Sequence, residues 1–213
     1  MRIDSAEFVL SAGEVSECPA GERPEIAMSG RSNVGKSSLL NALLRRKALA
    51  KVSGTPGKTQ RLGYILVNDR FHLVDLPGYG YAHAAGSARN RWAAMMQGYL
   101  RARRQLVAVL QLVDSRHEPS REDREMVRWL GEERLPFCLV ATKIDKVGSS
   151  KREPAMQALL RALELPDTQP RVACSSETGE GRDAVLAWIE QALESAARAG
   201  DSTRASRRGG DRG

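Results

Sequence analysis

No stretch of this chain reaches the run of apolar residues that a membrane span needs, and the N-terminal MRIDSAEFVLSAGE lacks the long apolar core of a signal peptide. A secreted or membrane-embedded protein is therefore not expected, and a cytoplasmic one is. Cysteine is scarce: the three, Cys18, Cys138 and Cys174, are odd in number and show no metal-ligand spacing. Cys138 and Cys174 lie in apolar, strand-like runs, where a thiol serves as a small core residue, and a reducing compartment fits. No internal repeat is present. What remains is 213 residues, 41% hydrophobic, enough for one α/β domain with a core. The net charge of +7 and the pI near 9.7 favour polyanionic partners, RNA more naturally than a membrane, although arginine that merely solvates helices gives the same balance.

The most informative stretch is GRSNVGKSS, residues 30–38. It holds G-x-x-x-x-G-K-[ST] complete, as Gly30, Gly35, Lys36 and Ser37. That spacing builds a loop whose backbone N–H groups turn toward a phosphate chain, with the lysine reaching the β- and γ-phosphates and the hydroxyl placed for Mg²⁺. The preceding EIAM reads as a buried strand and the following SSLLNALLRR as a helix whose N-terminal dipole faces the anion.

A second element, TKID at residues 142–145, follows the apolar LPFCLVA. It resembles the [NT]-K-x-D guanine-recognition element of GTPases, the alternative being a strand end followed by a charged turn. A carboxylate at Asp145 accepts from guanine N1–H and the 2-amino group; adenine offers neither donor, so it would leave the carboxylate unpaired. The Lys143 stem can lie over the purine face, and Thr142 can bond neighbouring loops. Between the two motifs, DLPG (residues 75–78) ends a strand-like FHLV, placing Asp75 to hold Mg²⁺ through water and the Gly78 N–H to meet a γ-phosphate. An ordinary turn has the same composition. SGTPGKTQ supplies Thr59 as a switch threonine that completes the Mg²⁺ shell, or else forms part of a solvent loop. CSSETGEG, from Cys174, ends the last strand-like run and resembles the Ser-Ala-Lys loop whose backbone N–H reads guanine O6, with Ser176 at the alanine position.

Strand and helix signals alternate, which argues for a mostly parallel sheet. Strands are expected near 25–29, 62–67, 70–75, 106–113, 136–141 and 170–174, and helices near 36–47, 89–103, 119–131, 150–164 and 181–197. Asn68 and Asp69 between the second and third strands predict a hairpin, so one strand runs antiparallel. The helix over 89–103 carries Trp92, Met95, Met96 and Tyr99 at core-facing spacing; its Arg89, Arg91, Arg101, Arg103 and the following Arg104 form either a solvated face or an RNA-facing patch. Glu122 and Asp123 sit in the first turn of the helix over 119–131, where they complement its dipole. From Ala196 the composition turns to Arg, Gly, Ser and Asp, which predicts a disordered tail; Arg204, Arg207, Arg208 and Arg212 either grip RNA phosphate or only aid solubility.

Taken in order, GRSNVGKSSLLNAL, TPGKTQ, DLPGYGYA, VDSRHEP and TKID resemble the EngB/YsxC/YihA-type bacterial GTPases of the TRAFAC class, over roughly residues 5–195. The resemblance implies a Ras-like P-loop G domain over 25–195, with a six-stranded sheet, one antiparallel strand and helices on both faces. It places an N-terminal extension over 1–24 on that domain and leaves a basic tail at 196–213. GTP or GDP would be held by Gly30, Arg31, Ser32, Asn33, Val34, Gly35, Lys36 and Ser37, and by Gly57, Lys58, Thr59, Gln60 and Arg61. Asp75, Leu76, Pro77 and Gly78 would contribute next, and the base would meet Thr142, Lys143, Ile144 and Asp145 with Cys174, Ser175 and Ser176. Lys36, Thr59, Gly78 and Asn33 would carry catalysis, and Ser37, Thr59 and, through water, Asp75 would hold Mg²⁺. In related GTPases an asparagine at the Asn33 position ligates K⁺; shaping of the loop is the alternative. Tyr79 stands where Ras-like enzymes carry a catalytic glutamine, and His83 is not assigned its role, so slow hydrolysis is expected. The implied partner is the large ribosomal subunit or its precursor, rRNA and proteins together, approached by a monomer. A role in division and septation is also implied. The alternative is a GTPase acting on a protein partner at the division site without touching RNA.

Overall fold

Glu25–Gly30 and Phe137–Thr142 are buried at every position, as strands covered on both faces must be. They are two members of a sheet seen in the computed structural model of the chain, which describes residues 1–46, 61–80 and 86–209. Among these residues the sheet has seven strands: β1 (Ala6–Ala12), β2 (Glu25–Gly30), β3 (Leu62–Val67), β4 (Phe71–Asp75), β5 (Leu106–Asp114), β6 (Phe137–Thr142) and β7 (Arg171–Ala173), in the order β1-β3-β4-β2-β5-β6-β7. β3 runs antiparallel to both β1 and β4, while β2, β4, β5, β6 and β7 are parallel. The helices are α1 (Lys36–Leu44), α2 (Gly86–Ala102), α3 (Arg121–Glu132), α4 (Ser149–Ala162) and α5 (Arg182–Gly209).

Alternation along the strands assigns the two faces. Ile26 and Met28 of β2 and Leu110 and Leu112 of β5 pack with Leu39, Leu40 and Leu43 of α1 and Val185 and Ile189 of α5. Their neighbours Ala27, Val109 and Val113 pack on the other face with Met96 and Tyr99 of α2, Val127 and Leu130 of α3 and Leu159 and Leu160 of α4. The β3–β4 hairpin turns through Asn68 and Asp69 at φ 50° and 53°, closed by the Arg70 N–H to Val67 O at 2.9 Å. Positive φ at both central residues is what a type I′ turn demands, and Asn and Asp tolerate it better than other residues with a side chain. Met96 and Tyr99 are buried as the helical spacing of α2 predicts.

Two expectations need correction. Part of the N-terminal extension is the seventh strand: β1 pairs with β3, with a bulge between Phe8 and Leu10 that breaks the register and hides the alternation. The tail expected to be disordered from Ala196 is, through Gly209, the continuation of α5; Ala196, Ala197, Arg198 and Ala199 are good helix formers. The arginine face of α2 is also partly spoken for. Arg103 donates to Glu25 Oε1 at 2.6 and 2.9 Å, and Tyr99 Oη to Glu25 Oε2 at 2.8 Å. Glu25 is fully buried, so these bonds compensate its charge and tie the end of α2 to the start of β2. Arg101 pairs with Glu133 at 2.6 Å. Among the described residues no helix is long and apolar enough to cross a membrane.

Candidate nucleotide-binding site

The motif residues converge at the carboxyl ends of β2, β4, β5 and β6, where open parallel sheets place ligands. Between β2 and α1 the chain makes a tight loop. A Cβ on Gly30 would lie 2.9 Å from Val34 Cγ1 and 3.1 Å from the Leu112 carbonyl oxygen, so only glycine lets the loop leave the sheet so closely. Gly35 adopts φ 102° as the N-cap of α1, and Asn33 is also left-handed at φ 66°. The first bond of the α1 ladder runs from the Leu39 N–H to Gly35 O at 2.8 Å. The N–H groups of Lys36, Ser37 and Ser38 thus precede the ladder at the positive end of the helix, the arrangement that receives phosphate.

β4 delivers Asp75 beside this loop, where the Lys36 ammonium donates to its carboxylate. Gly78 lies directly against Ser32: a Cβ there would sit 3.1 Å from both Ser32 N and Oγ. The next residue is pinned. The Tyr79 N–H donates to Gly30 O at 3.3 Å and the Ser32 N–H to Tyr79 O at 2.9 Å, a short parallel bridge between the two loops. The Ser32 N–H is thereby spent on holding the Gly78 loop. The Tyr79 side chain points into the protein, where its hydroxyl donates to Asp123 Oδ1 at 2.7 Å and accepts from Gln111 Nε2 at 2.6 Å. Burial, reinforced by the Asp123 carboxylate, pushes the Tyr79 phenol well above its ordinary range. Asp123 also completes a capping box with Ser120, so this first-turn acid is structural in two ways.

The TKID segment is tied down just as closely. The Thr142 hydroxyl donates to Val34 O at 2.7 Å and lies 3.2 Å from Val113 O, linking β6 to the phosphate loop. Lys143 turns back at φ 59°, and its ammonium meets Asn33 O at 2.8 Å and Asp114 Oδ2 at 2.9 Å. The Ser175 hydroxyl holds the Asp145 carboxyl below its usual range, with Lys146 adding to the effect against the opposing influence of desolvation. An ionised, acceptor-only carboxylate is what guanine requires. The Ile144 N–H donates to Cys174 O at 3.2 Å, joining the TKID turn to the segment after β7. Gly181, at φ 78°, closes that segment; a Cβ on it would fall 2.1 Å from Ala173 O. Together these elements form a cleft of about 140 Å³, walled by Gly35, Leu39, Lys143, Asp145, Ser176 and Glu177.

Several expected contacts fall elsewhere. Gly57, Lys58, Thr59 and Gln60, with His83, lie outside the described residues. Arg61 is committed to the N-terminal segment, donating to Ser11 O at 2.8 Å and Glu17 at 2.6 Å. The side chains of Val34, Leu76, Ile144 and Cys174 are core, so any nucleotide contact from these four is through backbone. Burial pushes the Cys174 thiol up to about 11. Sequence reasoning did not foresee Asp114 as the partner of Lys143. The signal for Asp114 was present in VDSRHEP, a segment with no phosphate- or base-contact chemistry of its own.

Comparison with known proteins gives the chain's family and fold. A family described as 50S ribosome-binding GTPase matches residues 25–143. A protein named probable GTP-binding protein EngB from Pelotomaculum thermopropionicum is 47% identical over 189 residues, covering 89% of this chain and 96% of that protein. A protein of the same name from Levilactobacillus brevis is 45% identical over 190 residues, covering 89% and 96%. Among solved structures, a crystal structure of a probable GTP-binding protein engB superposes with a TM-score of 0.69 at 20% identity, over 80% of this chain and 99% of that one. The bacterial selenocysteine-specific elongation factor EF-Sec does so with a TM-score of 0.58 at 20% identity, over 82% of this chain and 29% of that one. At these identities the structural likenesses speak for the fold.

Proposed function

The chain belongs to the EngB family of GTP-binding proteins, and on that premise we propose that it is a slow GTP-hydrolysing switch acting in assembly of the large ribosomal subunit and, through it, in normal division and septation. Water attacks the γ-phosphorus of GTP, the bond to the β–γ bridging oxygen breaks, and GDP and phosphate leave. Lys36 and the N–H groups that open α1 bind and neutralise the phosphates, and the Gly78 N–H reports the γ-phosphate. Ser37 and Asp75 flank the phosphate loop with the hard oxygen donors that Mg²⁺ prefers, and the ion would supply charge neutralisation there. Asn33 faces solvent at the loop's left-handed turn, open to a K⁺ ligand role.

One observation carries the slow-switch reading. The residue after D-x-x-G is Tyr79, buried and bonded to Asp123 and Gln111, so it cannot orient water. The ribosomal reading draws on the family description, on the charge of +7 and on the pI near 9.7, all of which suit an RNA-rich partner in the cytoplasm. Sedimentation with large subunits and their precursors, with a nonhydrolysable GTP analogue against GDP, tests it. The GTP form, as a monomer, is expected to bind more tightly, and the affinity to fall as salt rises. Association in neither state would sink the ribosomal reading and leave a protein partner at the division site in its place. Hydrolysis in K⁺ against Na⁺ tests Asn33: a gain in K⁺ that disappears in Asn33→Ala is expected, and equal rates in both salts would remove the K⁺ role.

A further inference from the structure

We propose that Asp114 is the positioning residue for Lys143, stretching that side chain along the purine cleft before a nucleotide arrives and thereby setting how long the nucleotide stays. Asp114 ends β5 in direct register with Thr142 at the end of β6, so its carboxylate lies one strand away from the TKID turn. Lys143 begins left-handed, and its ammonium is held by two acceptors, Asn33 O at 2.8 Å and Asp114 Oδ2 at 2.9 Å. Only one of these is a charge. Between its two anchored ends the lysine stem passes along the cleft wall, where a Cβ on Gly35 would come within 3.8 Å of Lys143 Cε.

Asp114 is itself immobilised. Arg116 Nε and Nη2 donate to its two oxygens at 2.9 and 2.8 Å, and the Arg116 N–H adds a third bond at 3.1 Å. This bidentate fork fixes the plane of the carboxylate and so the direction in which Oδ2 presents itself to Lys143. The carboxyl is held well below its usual range, Arg116 and Lys143 outweighing the upward pull of partial burial. VDSRHEP thus supplies both the carboxylate and the arginine that orients it.

A free lysine stem populates many rotamers, and ordering it on the base would be charged against binding. With the ammonium already fixed, that cost is met in folding, which is how preorganisation raises affinity. The effect belongs mainly in the dissociation rate. Asp114 does not line the cleft, so it leaves base selection to Asp145.

This inference rests on the guanine-binding reading, and one experiment separates the two. Release of ribose-labelled fluorescent GDP is followed by stopped flow from the full chain, from Asp114→Ala, from Lys143→Ala and from the double variant. Wild-type binding of GDP but not ADP checks the guanine reading by itself. Asp114→Ala is expected to release GDP about tenfold faster, the size of a charged hydrogen bond reduced by partial exposure. The double variant is expected to be no faster than Lys143→Ala, and the preference for GDP over xanthosine diphosphate to match wild type. Release from Asp114→Ala at the wild-type rate would overturn the proposal. So would a double variant showing the product of the two single effects, since Asp114 would then act through the loop's fold rather than through Lys143. If Asp114→Ala does not fold, Asp114→Asn keeps an accepting oxygen and loses the charge; a smaller acceleration in the same direction is expected, and its absence is equally fatal.

Discussion

Replacing Tyr79 by phenylalanine tests whether this residue is structural in a position where Ras-like enzymes place a catalytic one. The change removes a single oxygen and leaves the ring in place. Among the described residues that oxygen donates to Asp123 Oδ1 at 2.7 Å and accepts from Gln111 Nε2 at 2.6 Å. Asp123 would keep its Oδ2 bonds to the Ser120 N–H and hydroxyl, at 2.8 and 2.9 Å, but lose the donor to Oδ1. Gln111 is fully buried and would keep only a long contact to Leu112 O at 3.3 Å. Losing a bond to a carboxylate costs about 1.5–3 kcal/mol and a neutral one about 0.5–1.5 kcal/mol, so a loss of about 2–4 kcal/mol is expected. For a domain of this size that lowers the melting temperature by about 5–15 °C. Urea denaturation followed by circular dichroism gives the stability, and phosphate release at saturating GTP, below the melting range, gives the rate. The rate per folded molecule is expected to stay at the wild-type value, because the hydroxyl faces away from the phosphate loop. A variant as stable as wild type within about 0.5 kcal/mol, or a folded one whose hydrolysis drops tenfold or more, would refute the reasoning.

Asp145→Asn should weaken GDP binding about tenfold or more and improve xanthosine diphosphate, whose carbonyl suits an amide donor; calorimetric titration reads both, and an unchanged GDP affinity would remove the guanine assignment. Gly181→Ala forces a methyl group to within 2.1 Å of Ala173 O at a residue with φ 78°, so it should destabilise the segment carrying Ser175 and Ser176 and cut nucleotide affinity before it unfolds the sheet; hydrogen exchange localised to residues 174–181 is the readout, and wild-type protection there would contradict it. Alkaline pH should destabilise the chain. Burial pushes the Cys138 thiol up to about 12 and the Cys174 thiol up to about 11. Burial also raises the phenols of Tyr64, Tyr79 and Tyr99. The unfolded chain releases these protons from about pH 8.5 for the thiols and about 10 for the phenols, while the native chain keeps them, so stability is full below that range and falls as pH rises through it. Urea midpoints at about pH 8, about 9.5 and about 10.5 should decline in that order, and a flat or rising series would show that these groups are not buried as the structure has them.

What could be read in advance follows from how local the determinant is. Gly30 and Gly35 are demanded by backbone geometry within a few residues, so their spacing alone located the phosphate loop. Asn68 and Asp69 located the hairpin for the same reason, and the parallel strands showed as unbroken apolar runs because both their faces are covered. β1 escaped notice because an edge strand with a bulge carries no clean alternation: Phe8 and Val9 remain 44% and 43% exposed. The direction of Tyr79 was not legible either. Whether that ring faces the nucleotide or the core depends on Gln111 and Asp123, residues of two other elements. Arg61 belongs to the same class: its neighbours in sequence suggest nucleotide, and its partners in space are Ser11 and Glu17.

These long-range contacts show how DLPGYGYA and VDSRHEP bear on the phosphate loop although they lie outside it. An anion site made of backbone needs N–H groups left free to face the ligand and the loop carbonyls satisfied on the other side; here the Ser32 and Val34 N–H groups are already spent, on Tyr79 O and Arg31 O. In this loop the carbonyls of Gly30, Arg31, Asn33, Val34 and Gly35 all accept hydrogen bonds, from the Tyr79 N–H at 3.3 Å, the Val34 N–H at 3.1 Å, the Lys143 ammonium at 2.8 Å, the Thr142 hydroxyl at 2.7 Å and the Leu39 N–H at 2.8 Å. Two of the five come from within the loop and α1, one from DLPGYGYA and two from TKID, whose lysine is steadied by the Asp114 of VDSRHEP. The phosphate site is therefore shaped by what lies behind it. The glycine spacing makes the loop possible, and the TKID and D-x-x-G segments hold its carbonyls inward, so the segments proposed to read the base and the γ-phosphate also shape the loop proposed to hold the phosphates.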